Sequence, residues 1–359
     1  MRRGIAELPL HYGTAPGWLF ERMKRLICGV VQVIVAEYGV NELLRRLSDP
    51  VWFQSLGCVA GFDWHSSGVT TTVSGALKEG IKGMEKDLGF FVCGGKGRAS
   101  RRTPQEIENF AQKFGLDGNR LIQTSRLVAK VDGSALQDGF QIYHHIFIGT
   151  LHGEWAIVQQ GMNPETRWAR RYHWFSDELK SFVVEPHKGI AGPRVSTVLN
   201  MTAKEAESAR QMVTAIASKT PDKTVEMFSK IKLPVHHPIF KNDISPNYLK
   251  KILLKTYEQP PVDFPQLLLT PGVGPKTIRA LALLAEVIYG APLSFRDPVT
   301  YTFAHGGKDG YPYPVNRAEY DRSISFLEKG IKEAKLGRVE KLNALRRLEQ
   351  WSRIQTGQR

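Results

Sequence analysis

The chain is poor in cysteine. Its three, Cys28, Cys58 and Cys93, are widely spaced among 359 residues and form no Cys-x-x-Cys pair. That argues against a disulfide framework, a zinc ribbon or an iron–sulfur cluster, and a reducing compartment is expected. Long apolar runs are lacking too: no stretch approaches about 18 uninterrupted apolar residues, so no membrane-spanning helix is expected. The opening Met1-Arg2-Arg3-Gly4-Ile5-Ala6-Glu7 has neither the apolar core nor the small-residue cleavage site of a secretory signal. A cytoplasmic protein with no membrane partner is the expectation. Repeats and low-complexity tracts are missing. Acidic residues are outnumbered, 35 Asp+Glu against 49 Lys+Arg, which leaves a formal net charge of +14. Such a surplus favours a polyanionic partner through steering and counterion release, with nucleic acid the first candidate.

What is present suits a globular protein, with 42% hydrophobic and 23% charged residues in a length sufficient for two domains. The spacing of Leu19, Met23, Leu26 and Ile27 is helical, and 29–38 is apolar enough for a buried strand or helix. Val69-Thr70-Thr71-Thr72-Val73 is β-branched and strand-like, and 88–93 reads as a short buried strand. Thr103-Pro104-Gln105-Glu106 has the form of a capping box that opens a helix ending at Gly115. The stretches 121–131, 140–150, 154–160 and 182–185 read as strands separated by Asp-Gly and His-Gly turns. A second capping box is expected at Thr202-Ala203-Lys204-Glu205. Residues 219–247, rich in proline and lysine, read as a linker, and everything beyond reads as helical. The expected fold class is therefore a mixed α+β N-terminal domain with an antiparallel sheet (1–218), followed by an all-α C-terminal domain (248–359).

Residues 267–290 carry the clearest motif. Leu267-Leu268-Leu269-Thr270-Pro271-Gly272-Val273-Gly274-Pro275-Lys276-Thr277 places a short helix before a turn in which two glycines flank one apolar residue. Glycine lets the backbone approach a bulky anion, Val273 pins the turn to the core, and Pro275 starts the second helix. Amides at that helix start can donate to a phosphate oxygen, with Lys276, Thr277 and Arg279 beside them. The pattern reads as a helix-hairpin-helix that binds DNA backbone and reads no bases. A tight turn without a ligand is the alternative.

Leu-Thr-Pro-Gly-Val-Gly-Pro-Lys-Thr resembles the hairpin of the endonuclease III-like DNA glycosylases. The resemblance implies a role for Lys276 as attacking amine and, if a short insertion is allowed, for Asp297 as assisting carboxylate. The cluster cysteines of many members of that family are missing here. A second resemblance is wider. Arg3-Gly4-Ile5-Ala6-Glu7-Leu8-Pro9-Leu10, Gly161-Met162-Asn163 with Arg170-Arg171-Tyr172-His173-Trp174, and Phe303-Ala304-His305-Gly306-Gly307-Lys308-Asp309-Gly310 are similar to an archaeal and bacterial family filed as domain of unknown function 763. That label implies no chemistry.

Candidate chemistry lies mostly in the first domain. Asp138 precedes a strand with His144 and His145, and Glu154 opens its neighbour; Asp63, Asp138 and Glu154 are the expected ligands of Mg²⁺ or Mn²⁺. Turn chemistry explains Asp138 and Glu154 equally well. Asp63 and His65 share a polar loop, and His305 and Lys308 a glycine-rich one, where they could act as acid, base or oxyanion donor. Lys96, Arg98, Arg101 and Arg102 suit a phosphate contact. Arg170 and Arg171, interleaved with aromatics, suit a single strand with splayed bases. Tryptophans buried in an ordinary core are the alternative for the second cluster, and a solvated loop for the first.

The leading expectation is thus a DNA repair hydrolase: a metal-dependent nuclease with Asp63, His65, Asp138, His145, Glu154, His305 and Lys308 as candidate catalytic residues. A lyase-type glycosylase using Lys276 and Asp297 and a non-catalytic DNA-binding scaffold are the alternatives. The expected partner is single-stranded or damaged duplex DNA, with a homodimer left open.

Overall fold

The structure is a computed structural model and describes residues 8, 10, 15–62, 67–234, 237–300, 325, 327–334 and 337–356. An antiparallel five-stranded sheet organises them. Strands β1 (Phe90–Lys96), β3 (Gln141–Thr150), β4 (Trp155–Asn163), β5 (Trp168–Phe175) and β6 (Gly189–Ala191) lie side by side in that order. A two-stranded ribbon, β2 (Leu136–Gln137) with β7 (Leu199–Asn200), stands apart from it. The fold class is accordingly mixed helix and antiparallel sheet.

Both faces of the sheet are covered. Phe91, Cys93, Phe147, Ile157, Tyr172 and Trp174 belong to one hydrophobic core, while their neighbours Phe90, Val92, Ile146, Ala156, Val158 and Phe175 belong to a second. Successive strand residues point to opposite faces, so a sheet covered on both sides reads as continuous apolar sequence, as 88–93 does. The second core is closed by α1 (Gly17–Tyr38), α2 (Val40–Leu47), α3 (Pro50–Val59) and α4 (Gly68–Gly80), and by Ala344 and Leu348 of the C-terminal helix Arg338–Thr356. The first is closed by α7 (Thr103–Phe114), α8 (Gly118–Lys130), α9 (Glu207–Ala217), α10 (Pro221–Lys230), α11 (Pro246–Glu258), α12 (Phe264–Leu269) and α13 (Pro275–Val287). Two short helices, α5 (Glu85–Leu88) and α6 (Arg98–Arg101), flank β1.

Several local expectations are corrected. Residues 121–131 are not a strand but most of α8, capped by the Asp117 side chain, which accepts from Arg120 N at 3.0 Å. Its buried Leu121, Thr124, Ser125 and Val128 keep a helical stripe. The β-branched run 69–73 lies inside helix α4, because Val69, Val73, Ala76 and Leu77 together face the second core; tertiary burial overrides β propensity there. Residues 182–185 are not a strand, whereas 168–175 are one.

Neither capping box forms. The Thr103 hydroxyl donates to Ser100 O, and Glu106 instead accepts from Gly94 N of β1 and from Lys78 Nζ. The Thr202 hydroxyl donates to Asn200 Oδ1. Residues 219–247, read as a linker, hold α10 and bury Phe228, Ile231, Ile239 and Ile244 in the same core as Trp174. Among the described residues no helix is long and apolar enough to cross a membrane.

Candidate functional site

Between α12 and α13 the chain turns through Thr270–Gly274. Val273 is 1% exposed and anchors the turn in the first core. Gly272 has φ +96°, and a Cβ there would meet Ile252 Cδ1 at 2.5 Å, so folding itself demands glycine. Gly274 is different: its φ of −147° suits any residue, and a Cβ would meet nothing within 4 Å. The turn's carbonyls face the protein. Lys130 Nζ donates to Val273 O, Lys255 Nζ to Pro271 O at 3.3 Å and Gln137 Nε2 to Pro275 O at 2.9 Å. Burial lowers the pKa of Lys130. The amides of Gly274, Lys276 and Thr277 have no acceptor among the described residues. The outward surface of the turn is therefore made of donors, at the positive end of a helix.

Not all of the expected cations are free. Asp243 takes both charges flanking the turn: Arg279 Nη2 lies 2.6 Å from each of its oxygens, and Lys276 Nζ lies 3.4 Å from Oδ2. The Thr277 side chain is buried, at 2% exposure for the residue. Lys96, Arg98, Arg101 and Arg102 are all exposed around α6, as a phosphate contact requires.

Arg170 and Arg171 are corrected outright as DNA contacts: both are 0% exposed. They lie on β5 and point to opposite faces. Arg171 donates to Gln54 Oε1 at 3.0 Å, Pro50 O at 3.2 Å and His173 Nε2 at 2.8 Å. Arg170 bridges Asp138 Oδ2 at 2.8 Å and both oxygens of Asp297 at 3.1 and 2.9 Å. Burial works against its charge, but Asp138, Tyr172 and Asp297 together hold the guanidinium above its usual range.

The expected metal set is not assembled. The β3–β4 ladder runs from Gln141 opposite Met162 to Gly149 opposite Trp155, with Asp138 beyond the first end and Glu154 beyond the second. The ladder's length separates them by roughly 27 Å, too far to share an ion. Asp138 is occupied by Arg170, Tyr172 and Phe140 N, and Glu154 accepts from the Thr150 hydroxyl. Asp63, His65, His305 and Lys308 lie outside the described residues, among which no group of three His, Cys, Asp or Glu is arranged to hold a metal. Asp297, held by Arg170, Val195 N and Val299 N, lines a cavity that does not include Lys276.

Instead the structure assembles a chain that local sequence did not announce. A π-helical turn, Val131–Ala135, follows α8 and puts Asp132 at 0% exposure beneath the sheet; such turns insert one residue and re-aim a side chain. Asp132 Oδ2 accepts from Gln159 Nε2 at 2.5 Å and Trp174 Nε1 at 2.9 Å, and Oδ1 lies 2.6 Å from His187 Nε2. A carboxylate only accepts, so His187 Nε2 carries the proton. Behind it, Gln159 Oε1 accepts from His145 Nδ1 at 2.8 Å, and the Ser125 hydroxyl donates to His145 Nε2 at 2.9 Å. Burial lowers the pKa of His145 and keeps it neutral. His145, expected as a catalytic residue, is thus a sealed link, 5% exposed, and His187 is the imidazole at the surface end.

His187 is held edge-on against Trp174, ring centroids 4.7 Å apart, and lines a cavity of about 290 Å³ together with Arg194, Asn200, Thr202, Arg296 and Asp297. Two residues upstream, Glu185 adopts φ +43°, a strained conformation for a non-glycine residue. No curated protein and no solved structure matches the chain. Residues 4–315, which take in the sheet, the turn and this cavity, match the family model described as Protein of unknown function (DUF763), and the chain belongs to that family.

Proposed function

We propose that the protein is a DNA-processing enzyme. In this reading α12, the turn and α13 form a helix-hairpin-helix like that of endonuclease III-like DNA glycosylases and hold a DNA backbone for phosphodiester hydrolysis. The observation that carries it is the one-sided turn: carbonyls inward on Lys130, Lys255 and Gln137, amides of Gly274, Lys276 and Thr277 outward without acceptors. Phosphate oxygens are acceptors only, so they complement such a surface. A side chain at Gly274 would stand between the turn and a bound backbone, although nothing inside the protein forbids one. The exposed Lys96, Arg98, Arg101 and Arg102 and the net charge of +14 fit the same polyanion.

The test uses the full chain with end-labelled single-stranded and duplex DNA, intact or carrying an abasic site, in Mg²⁺, in Mn²⁺ and in EDTA. Binding that weakens steeply with salt and is lost in Gly274→Asp supports the grip. Absence of binding at low salt overturns it. Cleavage, and its dependence on either ion, separates a nuclease from a scaffold that only binds.

A further inference from the structure

We infer that the Asp132–His187 pair is the proton-transferring centre of a phosphodiester hydrolase, with Arg194 holding the phosphate; the choice of substrate class rests on the DNA reading above. The pair has the three properties such work demands. Its carboxylate is fully buried and fixed by two further donors, Gln159 and Trp174, so it cannot turn away from the imidazole. Its other oxygen faces His187, whose Nε2 proton it holds in place. The remaining ring nitrogen, His187 Nδ1, has no hydrogen-bond partner among the described residues and is not one of their sealed, unsatisfied buried atoms. It therefore offers its lone pair to the cavity that His187 lines.

Arg194 lines the same cavity, is exposed, and has no acidic partner among the described residues. Arg296, the other arginine there, is already occupied by Glu185 and Glu205. The backbone on both sides of Arg194 is pinned: Arg170 Nη2 donates to Pro193 O at 2.5 Å, and Val195 N donates to Asp297 Oδ2 at 2.8 Å. The buried Arg170–Asp297 pair is thus a positioning device for an unpaired arginine at a cavity wall. A cavity of about 290 Å³ is near the lower end of ligand sites, roughly 300 Å³, and suits one nucleotide-sized group rather than a duplex. Substrate would enter as a single strand or an extruded nucleotide.

The grip and the pair also share a segment. Lys130, which holds Val273 O of the turn, stands two positions before Asp132. Gln137, just past the π-helical turn, holds Pro275 O. The chemistry balances with water alone. His187 Nδ1 takes a proton from a water molecule, whose oxygen bonds to phosphorus as one ester P–O bond breaks. The departing oxygen keeps the bonding pair and receives the proton from the imidazolium, giving one phosphomonoester and one hydroxyl. Arg194 neutralises the charge that gathers on the phosphoryl oxygens.

The test measures the full chain on two probes: bis(4-nitrophenyl) phosphate, which needs no DNA grip, and end-labelled single-stranded DNA. Both should be hydrolysed. His187→Gln should lower kcat on both at least 100-fold with DNA affinity unchanged, and should abolish the ascending limb of the pH–rate profile. Asp132→Asn, a positioning change, should lower kcat without raising KM and should displace that limb. Arg194→Ala, at an exposed site, keeps the inference testable if the buried variants fail to fold; it should raise KM for the small diester at least five-fold. Hydrolysis of neither probe while DNA is bound, or full activity of a folded His187→Gln or of Arg194→Ala, overturns the inference and leaves the grip standing. Hydrolysis of the small diester without DNA binding upholds the pair and overturns the DNA reading.

Discussion

His187 Nε2 stands 2.6 Å from Asp132 Oδ1, across 55 positions of sequence, and this contact ends a chain that begins at the Ser125 hydroxyl on the far side of His145 and Gln159. Every member can satisfy its neighbour only in one proton arrangement, which fixes the His187 tautomer without a base from outside. Removing the carboxylate leaves three buried donors facing one another. Asp132→Ala should therefore destabilise the protein by about 3 kcal/mol, well beyond the cost of a surface change. Urea unfolding followed by tryptophan fluorescence would measure it, and Trp174, whose Nε1 loses its acceptor, supplies a local signal.

The two glycines of the turn should separate folding from binding. Gly272→Ala forces a left-handed backbone on alanine and presses its Cβ into Ile252, so about 1–2 kcal/mol of stability should be lost. Gly274→Ser should fold as well as the parent, because serine is a good N-cap and has open space there. Gly274→Asp should be equally stable yet bind DNA at least ten-fold more weakly. Thermal melts beside filter binding would show both; a Gly274→Asp protein with undiminished affinity would falsify the proposed grip.

Asp243 pairs with both cations beside the proposed grip. Its carboxylate makes two contacts with Arg279 and one with Lys276, whose amine also donates to the Asp243 carbonyl at 2.8 Å, beside the outward amides. Asp243→Asn should free Arg279 and lift the carboxylate, though not the backbone carbonyl, from Lys276, tightening DNA binding at low salt and steepening the salt dependence by roughly one counterion. Affinity measured against salt concentration decides this, and a weaker complex would count against the turn as the contact point.

Acid should unfold the protein through its buried imidazoles. Burial depresses His144 from 6.5 to about 3, and His145 and His173 also lie below the ordinary value for the same first cause. The unfolded chain takes up these protons first, so stability is fully present above about pH 6.5 and is lost as pH falls towards 3. His144 alone should cost about 2 kcal/mol at pH 5. Denaturation midpoints between pH 7 and pH 4 should fall steadily, and less steeply in His144→Gln.

Some of this was legible in the order of residues. Gln141–Thr150 and Trp155–Asn163 form strands where apolar runs lie between Asp-Gly and His-Gly turns. The turn around Val273 sits in the core as its glycine–valine–glycine pattern requires. These are local matters: backbone preference and periodicity over a few residues suffice for them. The charge surplus is likewise a property of composition.

The site belongs to the tertiary structure. Arg170 and Arg171 look like surface cations until β5 is seen inside a sheet covered on both faces, where burial on alternate sides erases the alternation that marks a strand. The register of β3 against β4 puts Asp138 and Glu154 at opposite ends, which no reading of their separation along the chain could reveal. Asp132 reaches His187 because a π-helical turn re-aims it beneath β4 and β5, bringing together Gln159, Trp174 and His187 from separate segments. Sequence by itself determined the charge, the strands at 141–150 and 155–163 and the turn at Val273, whose causes act within a few residues; strand register, two-sided burial and the π-helical turn decided the remaining elements and which groups meet, because those are set only when the whole core packs.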